Sequence, residues 1–265
     1  MMKLSTNKIV AEAEGSVGRV TINNPDRRNA ISLEMWEGIS EAFDAFSVDP
    51  SIRCVVMTGA GEKAFASGAD ISQFKANRSN AEAAEAYARI SMAGRMKMLS
   101  FEKPFIARIQ GFCMGGGLGI ALAADIRIAS EDSTFGVPAA RLSIAYDRVN
   151  LRNLVHLVGP SKAKEILITA KRYSATEAAA MGLINSCVPL GKLDASIADI
   201  TDRISENAPL SMRASKLIIN EVMRDEADFD EALADELTRA CFDSWDYQEG
   251  QDAFMNKRKP AFEGR

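Results

Sequence analysis

The chain has 265 residues, 47% hydrophobic and 26% charged, a size and balance that support a substantial buried core. With 32 Lys+Arg against 36 Asp+Glu the net charge is −4, so nothing draws the protein generally to nucleic acid or an anionic membrane. The single histidine, His156, excludes sites built on two imidazoles and leaves at most one to activate a nucleophile. Cys54, Cys113, Cys187 and Cys241 show no CxxC spacing, which argues against a zinc or thioredoxin-type site and for reduced thiols in a cytoplasmic protein. The first residues lack the apolar core of a secretory signal. The most apolar stretch, residues 111–124, falls short of the ~18 residues a membrane span needs. The expectation is a soluble, cytoplasmic protein with no metal and no membrane or nucleic-acid partner.

Residues 9–14 and 19–23 are short β-branched runs around the turn signal at 15–18 and predict a hairpin. Ser32 can cap a helix whose apolar face is Met35, Trp36, Ile39, Ala42, Phe43 and Phe46; Asp49-Pro50 ends it. Residues 54–57 are a continuous apolar strand, and a buried strand between helices implies a covered, mostly parallel sheet. A long helix is predicted over 81–99, carrying Ile90, Met92, Met96, Met98 and Leu99, with Met92, Met96 and Met98 as core or as an adaptable acyl pocket. Residues 105–109 repeat the strand signal, 111–124 predict a glycine-opened helix, and 126–129 form a third buried strand. Helices then dominate: 149–158, 161–170, and one opened by the capping box Ser174-Ala-Thr-Glu177. After a strand at 184–189 come helices at 194–207 and 210–224. A final helix carries Phe229, Leu233, Leu237, Cys241 and Trp245. The reading is an α/β core over 1–190 with a docked helical region over 191–265.

Two loops place small residues where a strand hands over to a helix: Ala64-Phe-Ala-Ser-Gly-Ala-Asp-Ile71 and Gly111-Phe-Cys-Met-Gly-Gly-Gly-Leu-Gly119. Such loops let a ligand approach the backbone, and two of them can aim two N–H donors at one oxygen. The alternative is that Gly115-Gly-Gly117 only permits close helix–sheet packing. Neither loop has the spacing of a nucleotide motif, because Gly115-Gly-Gly-Leu-Gly119 fails GxGxxG and Gly59-Ala-Gly-Glu-Lys63 fails GxxxxGK[ST].

Six segments stand in order: Asn24-Pro-Asp-Arg-Arg-Asn-Ala30, Phe65-Ala-Ser-Gly-Ala-Asp-Ile71, Gly111-Phe-Cys-Met-Gly-Gly-Gly117, Ala124-Asp-Ile-Arg-Ile-Ala129, Ala178-Ala-Ala-Met-Gly-Leu-Ile-Asn185 and Phe254-Met-Asn-Lys-Arg-Lys-Pro-Ala-Phe262. Together they resemble the crotonase (enoyl-CoA hydratase/isomerase) superfamily over essentially the whole chain. The resemblance implies a crotonase-like spiral of ββα units with a helical C-terminal region, assembled as a homotrimer or a dimer of trimers. It implies an acyl-CoA thioester as ligand, with coenzyme A as part of the substrate and no separate cofactor. Carried over by position, the N–H groups of Ala69 and Gly116 form an oxyanion hole for the thioester oxygen. Arg28, Ala30, Ala66, Gly68, Asp70 and Ile71 match positions along the CoA channel. Phe254 and Lys257 match C-terminal positions that reach the nucleotide end, often from a neighbouring subunit.

The typical hydratase of this superfamily holds its water between two glutamates, and here those positions are Gly119 and Ala139. Without them, addition of water lacks its proton donor and acceptor. Beyond Phe135-Gly-Val-Pro138, Asp147 falls where dienoyl-CoA isomerases and chlorobenzoyl-CoA dehalogenases carry a catalytic aspartate. Tyr146 falls near a tyrosine implicated in methylmalonyl-CoA decarboxylase. Asp147 as the N-cap of the following helix, and Tyr146 as a structural phenol, are the competing readings. Arg152 and His156 read as a solvated stripe, Cys113 as an inert thiol, and Ser161-Lys-Ala-Lys164 as an SxxK match without companion motifs. The expectation is enolate chemistry with isomerase-like proton transfer. Hydration through a differently held water and non-catalytic acyl-CoA binding are the alternatives.

Overall fold

The computed structural model describes residues 2–70 and 81–265. A hairpin of β1 (Ile9–Glu14) and β2 (Val17–Ile22) precedes α1 (Leu33–Val48). Three successive units follow, each of two strands and a helix: β3 (Cys54–Gly59), β4 (Ala64–Ala66) and α2 (Ala81–Leu99); β5 (Phe105–Ile109), β6 (Phe112–Met114) and α3 (Gly116–Ala121); β7 (Ile126–Ser130), β8 (Thr134–Gly136) and α4 (Arg148–Thr169). Then come β9 (Tyr173–Ser174), α5 (Ala175–Ala180), β10 (Ser186–Val188), α6 (Leu193–Glu206), α7 (Pro209–Val222), α8 (Glu231–Phe242) and α9 (Trp245–Met255). The first strand of each unit joins a six-stranded sheet, β1-β2-β3-β5-β7-β10, and the second joins a four-stranded sheet, β4-β6-β8-β9. All neighbours are parallel except β1–β2 and β8–β9. This is the expected spiral of ββα units.

The central strands β3, β5 and β7 of the larger sheet are buried along most of their length, which is why they read as largely apolar runs. At its edge, β1 and β2 alternate. In β3 the side chains alternate: Val55 and Met57 point into the main core, Cys54 and Val56 to the other face. The main core holds Trp36, Phe43, Phe46, Phe65, Phe105 and Phe135, with Phe43 edge-on to Phe101 and Phe105 at centroid distances of 5.1 and 5.0 Å. Leu193, Ile197 and Ile204 of α6 cover the other face, so the helical region docks directly on the sheet.

Three expectations are corrected. The predicted helix over 111–124 is only Gly116–Ala121, because Phe112–Met114 pairs as a strand with both β4 and β8. Gly111 and Gly115, at φ +67° and +50°, turn the chain on either side of that strand. The single C-terminal helix is two, because Ser244 starts α9 by accepting from the Tyr247 N–H at 3.0 Å. Met96 is exposed, whereas Met98 is fully buried and Met92 half-buried. Among the described residues no helix is long and apolar enough to cross a membrane, and no cluster of His, Cys, Asp and Glu could hold a metal.

Candidate active site

The loop at residues 24–31 is laid against residues 67–70 and sets the direction of the backbone there. Asn29, fully buried, donates from Nδ2 to the carbonyls of Ala60 (2.9 Å) and Ala64 (2.6 Å) and accepts from the Asn24 N–H at 3.0 Å. The Ile31 N–H donates to Gly68 O at 2.8 Å, the Asp70 N–H to Ile31 O at 3.0 Å, and the Ser67 N–H to Arg28 O at 3.0 Å. In an extended segment alternate peptide groups point to opposite sides. With the Gly68 carbonyl and Asp70 N–H turned to Ile31, the Ala69 N–H faces the other way, toward the glycine loop.

That loop is fixed as tightly. The Gly115 N–H donates to Gly136 O at 2.8 Å, and the Gly115 carbonyl accepts the Tyr146 hydroxyl at 3.1 Å. A methyl group added to Gly117 would lie 2.2 Å from Ala66 O, so only glycine lets α3 begin against β4. A methyl on Gly116 would sit 3.5 Å from the Ala69 nitrogen, and one on Gly68 3.7 Å from the Gly116 nitrogen. Among the described residues no backbone carbonyl accepts from Ala69 or Gly116. The nitrogens of Ala69 and Gly116 thus lie close to one another across the two loops.

The space beside Gly119 is filled by Asn150. A Cβ on Gly119 would lie 2.7 Å from Asn150 Nδ2 and 2.8 Å from its Oδ1. Asn150 is fully buried and clasps Asp147: its N–H donates to Oδ1 at 3.0 Å and its Nδ2 to Oδ2 at 2.6 Å. Asp147 is therefore the N-cap of α4, as the structural reading expected. Its side chain is 31% exposed and lies 3.6 Å from Arg95 Nη1. The Arg95 guanidinium stands 5.1 Å from the centre of the Trp36 ring. Burial first, and the Asp147 charge second, push the Tyr146 phenol well above its ordinary pKa. Tyr146 stays protonated, with its proton directed to Gly115 O. Burial likewise pushes the Cys113 thiol up, consistent with an inert packed residue.

The expected CoA-channel residues divide. Ala30, Ala66 and Gly68 are buried along the two loops, Asp70 is half-buried at their end, and Ile71 lies outside the described residues. Arg28 is exposed at φ +50°, with its guanidinium 5.4 Å from the Phe112 ring centre. Arg172 approaches the same ring at 5.9 Å, so two cations flank Phe112. Phe254 and Lys257 are exposed at and just beyond the end of α9, which packs against α8. His156 is exposed, as the solvated-stripe reading expected; Arg152 is exposed too and donates to Met223 O at 3.3 Å.

Sequence reasoning missed Asn150, Arg95 and Arg172. Asn150 was legible as the third residue after an N-cap aspartate. Arg95 was legible as a charge next to the buried Tyr87, Ser91, Gly94 and Met98 stripe of α2.

A profile of the family described as enoyl-CoA hydratase/isomerase matches residues 12–265. The short-chain-enoyl-CoA hydratase of Clostridium acetobutylicum is 35% identical over 256 residues, covering 97% of each chain. The carnitinyl-CoA dehydratase of Proteus mirabilis is 33% identical over 260 residues, covering 95% of this chain and 96% of its own. The crystal structure of an enoyl-CoA hydratase/carnithine racemase from Magnetospirillum magneticum superposes with a TM-score of 0.94 at 40% identity, covering 99% of this chain and 97% of that one. The spiral fold, the facing glycine loops and these matches agree, and the chain belongs to the enoyl-CoA hydratase/isomerase family of the crotonase superfamily.

Proposed function

We propose that the protein binds a CoA thioester with its carbonyl oxygen between the Ala69 and Gly116 N–H groups, and moves a proton between carbons of the enolate so stabilised. The observation that carries this is the close approach of the two loops: the Gly116 Cβ position lies 3.5 Å from the Ala69 nitrogen. Both donors are fixed before substrate arrives, so they stabilise the enolate more than the neutral carbonyl and cost no reorganisation at reaction. Asp147 is the carboxylate that follows Tyr146, and Tyr146 is bonded to the peptide that carries the Gly116 N–H. In this reading Asp147 removes a proton from the α-carbon of a 3-enoyl thioester, and charge passes through the dienolate onto the held oxygen. The same carboxyl returns the proton at the γ-carbon, giving the 2-enoyl isomer with no net change in atoms. Asp147 caps α4 through one lone pair on each oxygen, which leaves a second pair on each for the proton.

Arg28 and Arg172 are suited to the CoA phosphates, which explains how an acidic protein takes an anionic ligand. Phe254 and Lys257 are assigned to the nucleotide end of a neighbouring subunit's site in a trimer or dimer of trimers. A second reading is hydration, favoured by the Clostridium acetobutylicum relative being named a hydratase. Asn150 occupies the space beside Gly119, so the water would have to be held by Asp147 instead.

Product analysis separates the two. Incubation with matched 2-enoyl and 3-enoyl thioesters is expected to interconvert the double-bond isomers. Accumulation of 3-hydroxyacyl-CoA as the main product would establish hydration instead. Binding without turnover of either substrate would leave a non-catalytic acyl-CoA-binding protein.

A further inference from the structure

Among the described residues two buried side-chain nitrogens lack a hydrogen-bond partner, Trp36 Nε1 and Arg95 Nε, and only the second belongs to a charged group. Arg95 projects from α2 beside the buried stripe Tyr87, Ser91, Gly94 and Met98, and only 13% of its side chain is exposed. A guanidinium has five N–H donors in a rigid fork, and leaving buried ones unpaired is costly. Among the described residues the only charged partner of Arg95 is Asp147, reached through Nη1 at 3.6 Å, longer than a hydrogen bond. Arg95 Nε is buried and has no hydrogen-bond partner. One face of the guanidinium is covered by Trp36 at 5.1 Å. What remains is the edge formed by Nε and the second Nη, the side of a guanidinium that takes a carboxylate through two parallel bonds.

The position of this edge matters. Asp147 follows Tyr146, whose hydroxyl holds Gly115 O, and Gly115 adjoins the Gly116 donor. Arg95 is therefore the ion-pair partner of the proposed base. A group bound on its free edge would be carried by the acyl chain near the carbons that react, which points to a short chain. Asp147 balances the charge of Arg95 but reaches it only through Nη1, while the two Asn150 donors hold the carboxylate in its capping position, so the Nε edge gains no hydrogen bond from it. A purely hydrocarbon acyl group would leave the Arg95 edge buried and unpaired.

Resting on the acyl-CoA reading, we infer that the natural acyl group is short and ends in a carboxylate, which the Nε edge of Arg95 binds. Arg95 is then the residue that selects a dicarboxylic acyl thioester over a plain fatty acyl thioester.

Calorimetric titration of the full-length protein with glutaryl-CoA and valeryl-CoA, and with succinyl-CoA and butyryl-CoA, tests this by affinity alone. The carboxylate-ended member of at least one pair is expected to bind about tenfold or more tightly than its uncharged match. Arg95→Gln should erase that preference while valeryl-CoA still binds, which also reports that the variant is folded. Arg95→Lys keeps the charge without the fork and should retain only part of the preference. Equal affinities within both pairs, or a preference that survives Arg95→Gln, would overturn the inference and leave the acyl-CoA reading standing. A full preference in Arg95→Lys would overturn the two-bond recognition. Failure of all four thioesters to bind would overturn both readings together.

Discussion

The Tyr146 hydroxyl donates to the carbonyl of Gly115 at 3.1 Å, and the N–H at the other end of that same peptide is that of Gly116, the proposed oxyanion donor. A trans peptide holds its C=O and N–H in opposite directions in one plane. Fixing the oxygen therefore aims the N–H, and the bond also polarises it. Tyr146 is a positioning residue in this account, its own proton held by the backbone and its pKa raised by burial.

Tyr146→Phe removes that bond and nothing else of the side chain's shape. The loss of one neutral hydrogen bond, ~1 kcal/mol, is expected to lower kcat about fivefold. KM should stay close to wild type, because the donor matters most when the oxygen is charged. Steady-state kinetics with a 3-enoyl thioester reads the split; an effect on KM alone would contradict the positioning role.

Gly119 and Asn150 exclude one another's larger alternatives. Gly119→Ala places a methyl group against the Asn150 carboxamide, and overpacking of this kind costs about 1–3 kcal/mol. Thermal unfolding should show the loss, and adding Asn150→Ala should recover part of it. Restoring a glutamate at position 119 alone is expected to destabilise the chain rather than create a hydratase. Full stability of Gly119→Glu would show that Asn150 yields easily.

The two arginines beside Phe112 make a prediction about the CoA end. Arg28→Ala and Arg172→Ala should each raise KM for acyl-CoA several-fold, an effect on the order of a charged hydrogen bond. Neither should change KM for the same acyl group on a truncated pantetheine lacking the phosphates. Equal effects on both substrates would place the arginines elsewhere in the mechanism.

Acid should loosen the C-terminal tail. Arg258 and the Ala261 N–H hold the Glu249 carboxyl down at about 2, from an ordinary 4.5. A lowered carboxyl pKa contributes stability that is full above the ordinary value and is lost as pH falls from 4.5 toward 2. Trp245, which lies 5.2 Å from the Arg265 guanidinium, reports the docking by fluorescence. Glu249→Gln should flatten the change across that window; an unchanged profile would assign the acid sensitivity to another group.

The sequence made the scaffold legible because its signals are local. The apolar run at Cys54–Gly59 needs cover on both faces, and Ser174 with Glu177 caps a helix within one turn. Phe112–Met114 was not legible, because a three-residue strand exists only through pairing with residues 48 and 22 positions away. The proposed oxyanion donors rest on the family resemblance, since backbone N–H groups leave no trace in composition. Asn150 and Arg95 could be singled out by their place on their helices, but their roles needed the structure: their partners, Gly119 and Asp147, lie 31 and 52 positions away in the chain. Asp147 is the N-cap that one of the two readings expected, and capping engages one lone pair on each oxygen, which leaves the proposed base role open to test.

The central claim is that the Ala69 and Gly116 N–H groups hold an enolate from which Asp147 moves the proton. NMR of a saturated acyl-CoA bound in D2O tests it directly, because exchange of the α-proton requires both the hole and the base but no product. Wild-type protein is expected to exchange deuterium into the α-position, and Asp147→Asn to slow this by about 10²–10⁴-fold while the thioester still binds. Exchange at the wild-type rate in Asp147→Asn would contradict the account, as would tight binding by the wild type with no exchange at all.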